Sequence, residues 1–204
     1  NITVVDGRGS TTKINAPGAP MTEAAVQALL DALADEVRLA VDAGEHVLVV
    51  GAGSLPAGAG DDFYVRVGQV AARSGVPTVL DTSGAPLRAA VAAGGLTLVK
   101  PNEDELAELV GRPLTTVGAV VDAAHQVMES GVTAVLVSLG AHGALLVAPG
   151  SVLWAGGPAL VPASTVGAGD VTLAGFLSAL VDAPHGPASV DPEISADALR
   201  RAVA

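Results

Sequence analysis

Between residues 22 and 42 apolar side chains recur at Val26, Leu29, Leu30, Leu33, Val37 and Val41, the spacing of one helical face, with Thr22 placed to cap the start. Beyond it the period shortens. His46–Val50, Thr78–Asp81, Leu96–Lys100 and Ala134–Ser138 are brief apolar runs that read as buried strands. Amphipathic stretches follow the first three: about 61–74, then Pro86–Ala93, then Glu103–Val110 and Thr116–Ser130. Two more strands are predicted at Ala144–Ala148 and Val152–Ala155, then helices from about Gly169 to Val181 and over Ala196–Val203, separated by a Pro- and Asp-rich stretch at 182–192. At the other end, Ile2–Asp6 and Ser10–Asn15 flank Gly7-Arg8-Gly9, a β-hairpin pattern with largely polar faces. Such a hairpin has little to bury and is predicted to be an edge flap.

Apolar strands alternating with amphipathic helices imply an α/β domain with a parallel sheet covered on both faces, where ligands bind beyond the strand carboxyl ends. With no internal repeat, the predicted organisation is a flap and connector over 1–18 and one layered domain over 19–204.

Composition narrows the chemistry. The formal net charge of −11 argues against nucleic acid and anionic membrane as partners, so a phosphorylated ligand must be met locally, by backbone N–H groups and one or two of the ten Lys and Arg residues. Only 2% of the residues are aromatic, which leaves little for base stacking. With no cysteine there is no disulfide, thiolate metal site or cysteine nucleophile, which fits a reducing cytoplasm. Residues 130–169 carry no Asp, Glu, Lys or Arg, but Gly and Pro divide them into runs too short to span a bilayer as helices. No charged leader precedes an apolar segment at Asn1.

The sharpest local pattern is Gly167-Ala168-Gly169-Asp170 at the head of an apolar helix. Small residues at a helix N-terminus let successive N–H groups approach an anion. Asp170 does not serve that end: it is either a helix-capping acid or a general base that takes a proton from a hydroxyl attacking phosphorus.

Ser164-Thr165-Val166-Gly167-Ala168-Gly169-Asp170 with Ala174-Gly175-Phe176-Leu177 closely resembles the C-terminal signature of the ribokinase-like carbohydrate kinases. Thr12-Lys13-Ile14-Asn15, Gly53-Ser54-Leu55-Pro56, Lys100-Pro101-Asn102-Glu103-Asp104-Glu105-Leu106 and Ser138-Leu139-Gly140-Ala141-His142-Gly143-Ala144 resemble, in order, the 1-phosphofructokinase and tagatose-6-phosphate kinase branch. The resemblance implies a layered α/β/α ribokinase-like fold with a mostly parallel sheet and a small β-hairpin lid.

It also implies roles. Asp170 matches the catalytic base, and the amides of Gly167, Ala168 and Gly169 match the anion hole for the transferred phosphoryl group. Asn102 and Glu105 match an Asn-x-x-Glu motif that organises Mg²⁺; read alone, Glu105 is part of a solvated acidic face. Lys100, Asn102, Ser138, Gly140, Gly143 and Thr165 match contacts to ATP, against the plainer readings of a surface lysine and a generic βα turn. Ser54 matches the sugar-phosphate side, with turn chemistry as its alternative. Lys13 and the hairpin resemble a lid that closes over the sugar and often forms a dimer contact. The implied reaction is phosphoryl transfer from ATP to a ketohexose phosphate, fructose 1-phosphate first, with tagatose 6-phosphate and fructose 6-phosphate as alternatives, in a cytoplasmic enzyme.

Departures bear on that reading. Ser164 stands where many relatives have an Asp that helps bind a monovalent cation, so K⁺ dependence is not expected. Val171 stands where the branch more often has Ser. The glycine-rich sugar-binding start of the family and the end of its adenine pocket have no counterpart, so the chain is expected to be a fragment of its parent kinase.

Two other classes compete with this reading. Val49-Val50-Gly51-Ala52-Gly53 with Asp81 resembles a dinucleotide fingerprint, but Pro56 replaces the third glycine and the acid comes too late. A non-catalytic nucleotide- or phosphosugar-binding remnant would need no Asp170. The four histidines stand singly, without metal-ligand spacing, and no Gly-Lys pair marks a Walker loop.

Overall fold

Four short strands, β3 (Val49–Ala52), β4 (Thr78–Asp81), β5 (Leu98–Val99) and β6 (Ala134–Ser138), lie side by side in parallel, and β7 (Ala144–Ala148) and β8 (Ser151–Ala155) continue the sheet antiparallel. The computed structural model describes residues 2–5, 11–14, 18–157, 167–181 and 192–204. The hairpin strands β1 (Ile2–Val5) and β2 (Thr11–Ile14) pair only with each other, Val4 opposite Thr12. The turn at 6–10 and the remainder of the connector at 15–17 lie outside the described residues.

Alternation along the strands sorts the core into two layers. Leu80, Val99, Val135, Val137 and Leu145 face one side, where they meet α1 (Glu23–Asp42), α2 (Phe63–Arg73), α3 (Gly84–Ala93), α4 (Glu103–Val110) and α5 (Val117–Glu129). Val79, Leu98, Leu136 and Leu146 face the other, against α6 (Ala168–Val181) and α7 (Pro192–Val203). This is the layered α/β/α arrangement expected from the pattern. Among the described residues no helix is long and apolar enough to cross a membrane.

The structure departs from the hydrophobic pattern in several places. The sheet is parallel only as far as β6, because the connections at 139–143 and 149–150 are too short for the dozen-residue crossover that a parallel pair requires. Strand β3 forms at Val49–Ala52, not His46–Val50, which draws Gly51 into the ladder opposite Leu80. There the Tyr64 ring lies so close that a Cβ on residue 51 would come within 2.7 Å of it. Helix α1 starts at its Thr22 cap, whose hydroxyl accepts from the Ala25 N–H, but its buried stripe is narrower than the periodicity suggested: Leu29 and Val41 stay exposed while Val26, Leu30 and Val37 are buried. Helix α7 begins a turn early, at Pro192, a residue suited to the first helical position.

The turn from β6 to β7 is tight. The Gly143 (φ +90°) carbonyl accepts from the Leu139 N–H, and a Cβ there would overlap the Ala155 carbonyl on β8. Gly140 also has positive φ but faces open space. Gly143→Ala should therefore destabilise by about 2–4 kcal/mol, and Gly140→Ala by about 1 kcal/mol, in urea unfolding. Equal costs would contradict the close approach at residue 143.

Candidate active site

Parallel alignment brings the ends of β3 to β6 to one edge of the sheet, and the chemistry-bearing residues sit there. The β4–β5 register pairs Leu80 with Val99, so the next residues, Asp81 and Lys100, leave the sheet together. They form an ion pair, Lys100 Nζ to Asp81 Oδ2 at 3.0 Å. Lys100 is buried, only 4% exposed, which sets aside the reading of a surface lysine. Its ammonium also lies against the first turn of α6: a Cβ on Gly169 would meet Lys100 Nζ at 3.3 Å.

In α6 the first intrahelical bond runs from the Val171 N–H to the Gly167 carbonyl. The amides of Ala168, Gly169 and Asp170 precede it and have no acceptor within the helix, so the helix dipole and these donors point out of its start. Asp170 stands in that first turn, exposed. Thr165 and Ser164 lie outside the described residues.

Asn102 and Glu105 share the start of α4 in a reciprocal capping box. Asn102 Oδ1 accepts from the Glu105 N–H at 2.8 Å, and Glu105 Oε2 accepts from the Asn102 N–H at 2.9 Å. One oxygen of Glu105 and the amide nitrogen of Asn102 are left over from that exchange. Asn102 bridges to Ser138 at the end of β6, whose N–H donates to the Pro101 carbonyl.

Asp81, Lys100, Asn102, Glu105, Ser138, Gly140 and Gly169 line one cavity of about 510 Å³, together with Glu103 and Asp104. Lys100 supplies its only cationic side chain among the described residues. Gly143 is not on this cavity; it serves the β6–β7 turn. Ser54 lines a second cavity of about 530 Å³, with Pro56, Asp61, Thr82 and Ser83. Lys13 lies on β2, opposite Thr3. Among the described residues no three His, Asp or Glu side chains converge as a protein-only metal cage.

A profile of the pfkB family carbohydrate kinases matches residues 2–204. The chain belongs to this family. It is 39% identical over 186 residues to the 1-phosphofructokinase of Xanthomonas campestris, covering 89% of this chain and 57% of that protein. It is 36% identical to the ATP-dependent 6-phosphofructokinase isozyme 2 of Escherichia coli, covering 81% of this chain and 52% of that one. Among solved structures, phosphofructokinase-2 from Escherichia coli in complex with substrates and products superposes with a TM-score of 0.81 at 29% identity, covering 98% of this chain and 62% of that chain. The chain thus spans little more than half the length of the curated relatives it matches. Membership of this family overturns the dinucleotide alternative, and Asp81, the acid of that alternative, is engaged with Lys100.

Motif resemblance does not reach Asp81 as part of a kinase site. The signal was there: two apolar strands, Thr-Val-Leu-Asp and Leu-Thr-Leu-Val-Lys, end in opposite charges, and parallel pairing places those ends together. Burial raises the Asp81 carboxyl above its ordinary range; the charge and hydrogen bond of Lys100 pull it down, and the charge of Asp170 pushes it up again. The native state therefore holds this proton more tightly than the unfolded chain. The group's contribution to stability is full below its ordinary value, about pH 4, and is lost as pH rises through the raised one. Lys100→Met removes the downward pull, so the Asp81 carboxyl should titrate at still higher pH in side-chain carboxyl NMR. A lower or unchanged value would contradict the ion pair.

Proposed function

We propose that this chain carries the donor side and the phosphoryl-transfer centre of an ATP-dependent kinase for ketohexose phosphates, with fructose 1-phosphate as the preferred acceptor. The observation that carries this reading is the packing of the Lys100 ammonium against Gly169, one residue before Asp170 at the start of α6. A cation lies against a helix start, where amides are unpaired within the helix, and a carboxylate stands in the same turn.

In this reading the terminal phosphoryl group of ATP lies between Lys100 and the amides of α6. The acceptor's primary hydroxyl oxygen attacks the γ-phosphorus as the bond to the β,γ-bridging oxygen breaks. ADP leaves with that oxygen, and the hydroxyl proton passes to Asp170. Lys100 and the amides meet the charge gathering on the transferred group, while Ser138 and Gly140 border the donor phosphates. Ser54, Lys13 and the hairpin lid belong to the acceptor side.

The donor set fits magnesium as an ion carried in by the nucleotide. The cavity lining holds four carboxylates against one ammonium, which repels a bare polyphosphate and suits a hard cation that keeps its waters. Asn102 and the free oxygen of Glu105 would hold those waters, and the ion would neutralise charge on the donor phosphates.

The names of the relatives support the acceptor class. Proteins called 1-phosphofructokinase from Xanthomonas campestris and Rhodobacter capsulatus are each 39% identical to this chain. Tagatose 6-phosphate and fructose 6-phosphate remain the alternatives, the latter favoured by the 36% identity to a 6-phosphofructokinase. The hairpin exposes Val4 and Ile14, apolar side chains that support its use as a contact between two copies.

In the full-length chain, Asp170→Asn should lower kcat for fructose 1-phosphate by about 10²–10⁴-fold with little change in the KM for ATP. A coupled ADP-release assay reads this. An unchanged kcat would remove Asp170 as the base, and no turnover of any ketohexose phosphate by the unsubstituted enzyme would overturn the reading as a whole.

A further inference from the structure

The two cavities meet at the end of β4: Asp81 lines one and Thr82 the other. Between them, three hydrogen bonds converge on Gly53, the first residue of the Gly-Ser-Leu-Pro loop. Its N–H donates to the Asp81 carbonyl at 2.8 Å. Its carbonyl accepts from the Tyr64 hydroxyl at 2.9 Å and from the Thr82 hydroxyl at 2.8 Å. Both side chains are buried, Tyr64 at 5% exposed and Thr82 at 6%. A carbonyl oxygen has two lone pairs, so this one is saturated. The Tyr64 ring is itself seated against Gly51, where no side chain would fit.

A fixed carbonyl fixes the whole peptide plane. The Gly53–Ser54 bond is trans, so the N–H of Ser54 points opposite to the Gly53 oxygen, away from the two buried hydroxyls. Gly53, with φ +91° and no side chain, limits the turning of this plane less than any other residue would. The hydroxyl pair therefore adds a restraint on that plane which the glycine itself does not supply. We propose that Tyr64 and Thr82 are positioning residues for the acceptor: by holding the Gly53 carbonyl inward they aim the Ser54 amide outward, as a donor for the phosphate that the ketohexose already carries. This rests on the functional reading above and extends it to two residues that act through the Gly53–Ser54 peptide. Because the Gly53 N–H is held by the Asp81 backbone, and the Asp81 side chain holds Lys100, the same strand end registers the acceptor loop against the donor lysine.

The test is steady-state kinetics on the full-length chain with Tyr64→Phe, Thr82→Val and Thr82→Ser, each checked by thermal unfolding. The first two should raise the KM for fructose 1-phosphate by about three- to tenfold, leaving kcat and the KM for ATP within about twofold. Thr82→Ser, which keeps the hydroxyl, should restore the original KM. A uniform loss across all three parameters, or an acceptor KM unmoved in both hydroxyl deletions, would overturn the inference. If the unsubstituted enzyme phosphorylates no ketohexose phosphate, the functional reading fails instead, and inorganic phosphate titrated against the Ser54 amide by NMR decides the inference. Weaker binding in the double variant Tyr64→Phe/Thr82→Val would then support it, and equal binding would overturn it.

Discussion

Lys100 occupies the point on which the rest of the site turns. An ammonium that deep inside a protein is costly unless paired, and here the pairing is supplied by Asp81 on the neighbouring strand. The pair exists because β4 and β5 run in parallel and in register, so that their terminal charges emerge together at the carboxyl edge. Strand order, helix packing and loop length all serve to keep that edge in place. On one face the buried residues of α1 to α5 pack beneath it, and on the other α6 brings its N-terminus back against Lys100.

The electrostatics of this arrangement are unbalanced. The charge of Asp170 bears on Asp81, and burial of Asp81 outweighs the help it receives from Lys100. Capping of α4 by Asn102 and Glu105 adds acid to the same rim, so the structural role of that pair and its proposed role beside a hydrated cation draw on different atoms of the same side chains. A cavity of this sign favours a ligand that brings its own positive charge together with its phosphates.

Much of this was legible in the chain itself. The helix capped by Thr22, the strands Thr78–Asp81 and Ala134–Ser138, and the helix Glu103–Val110 follow directly from period and capping residues. What periodicity does not carry is partner choice. An apolar run is equally consistent with either strand direction, and only the length of the connection distinguishes them, as at β7 and β8. The site was legible where a motif is contiguous, as in residues 167–170, and illegible where it depends on pairing across strands. Asp81, Tyr64 and Thr82 are separated from their partners by up to 29 positions, and single-residue signals do not reveal such contacts.

The central claim is that one phosphoryl group sits between Lys100 and the start of α6, with Asp170 beside it. A crystal structure of the full-length chain with magnesium, a non-hydrolysable ATP analogue and fructose 1-phosphate tests this most directly. The terminal phosphate should contact Lys100 Nζ and the amides of Ala168 and Gly169, with the Asp170 carboxylate about 3 Å from the acceptor hydroxyl. A terminal phosphate bound elsewhere, or an Asp170 carboxylate turned away from the acceptor, would contradict the account.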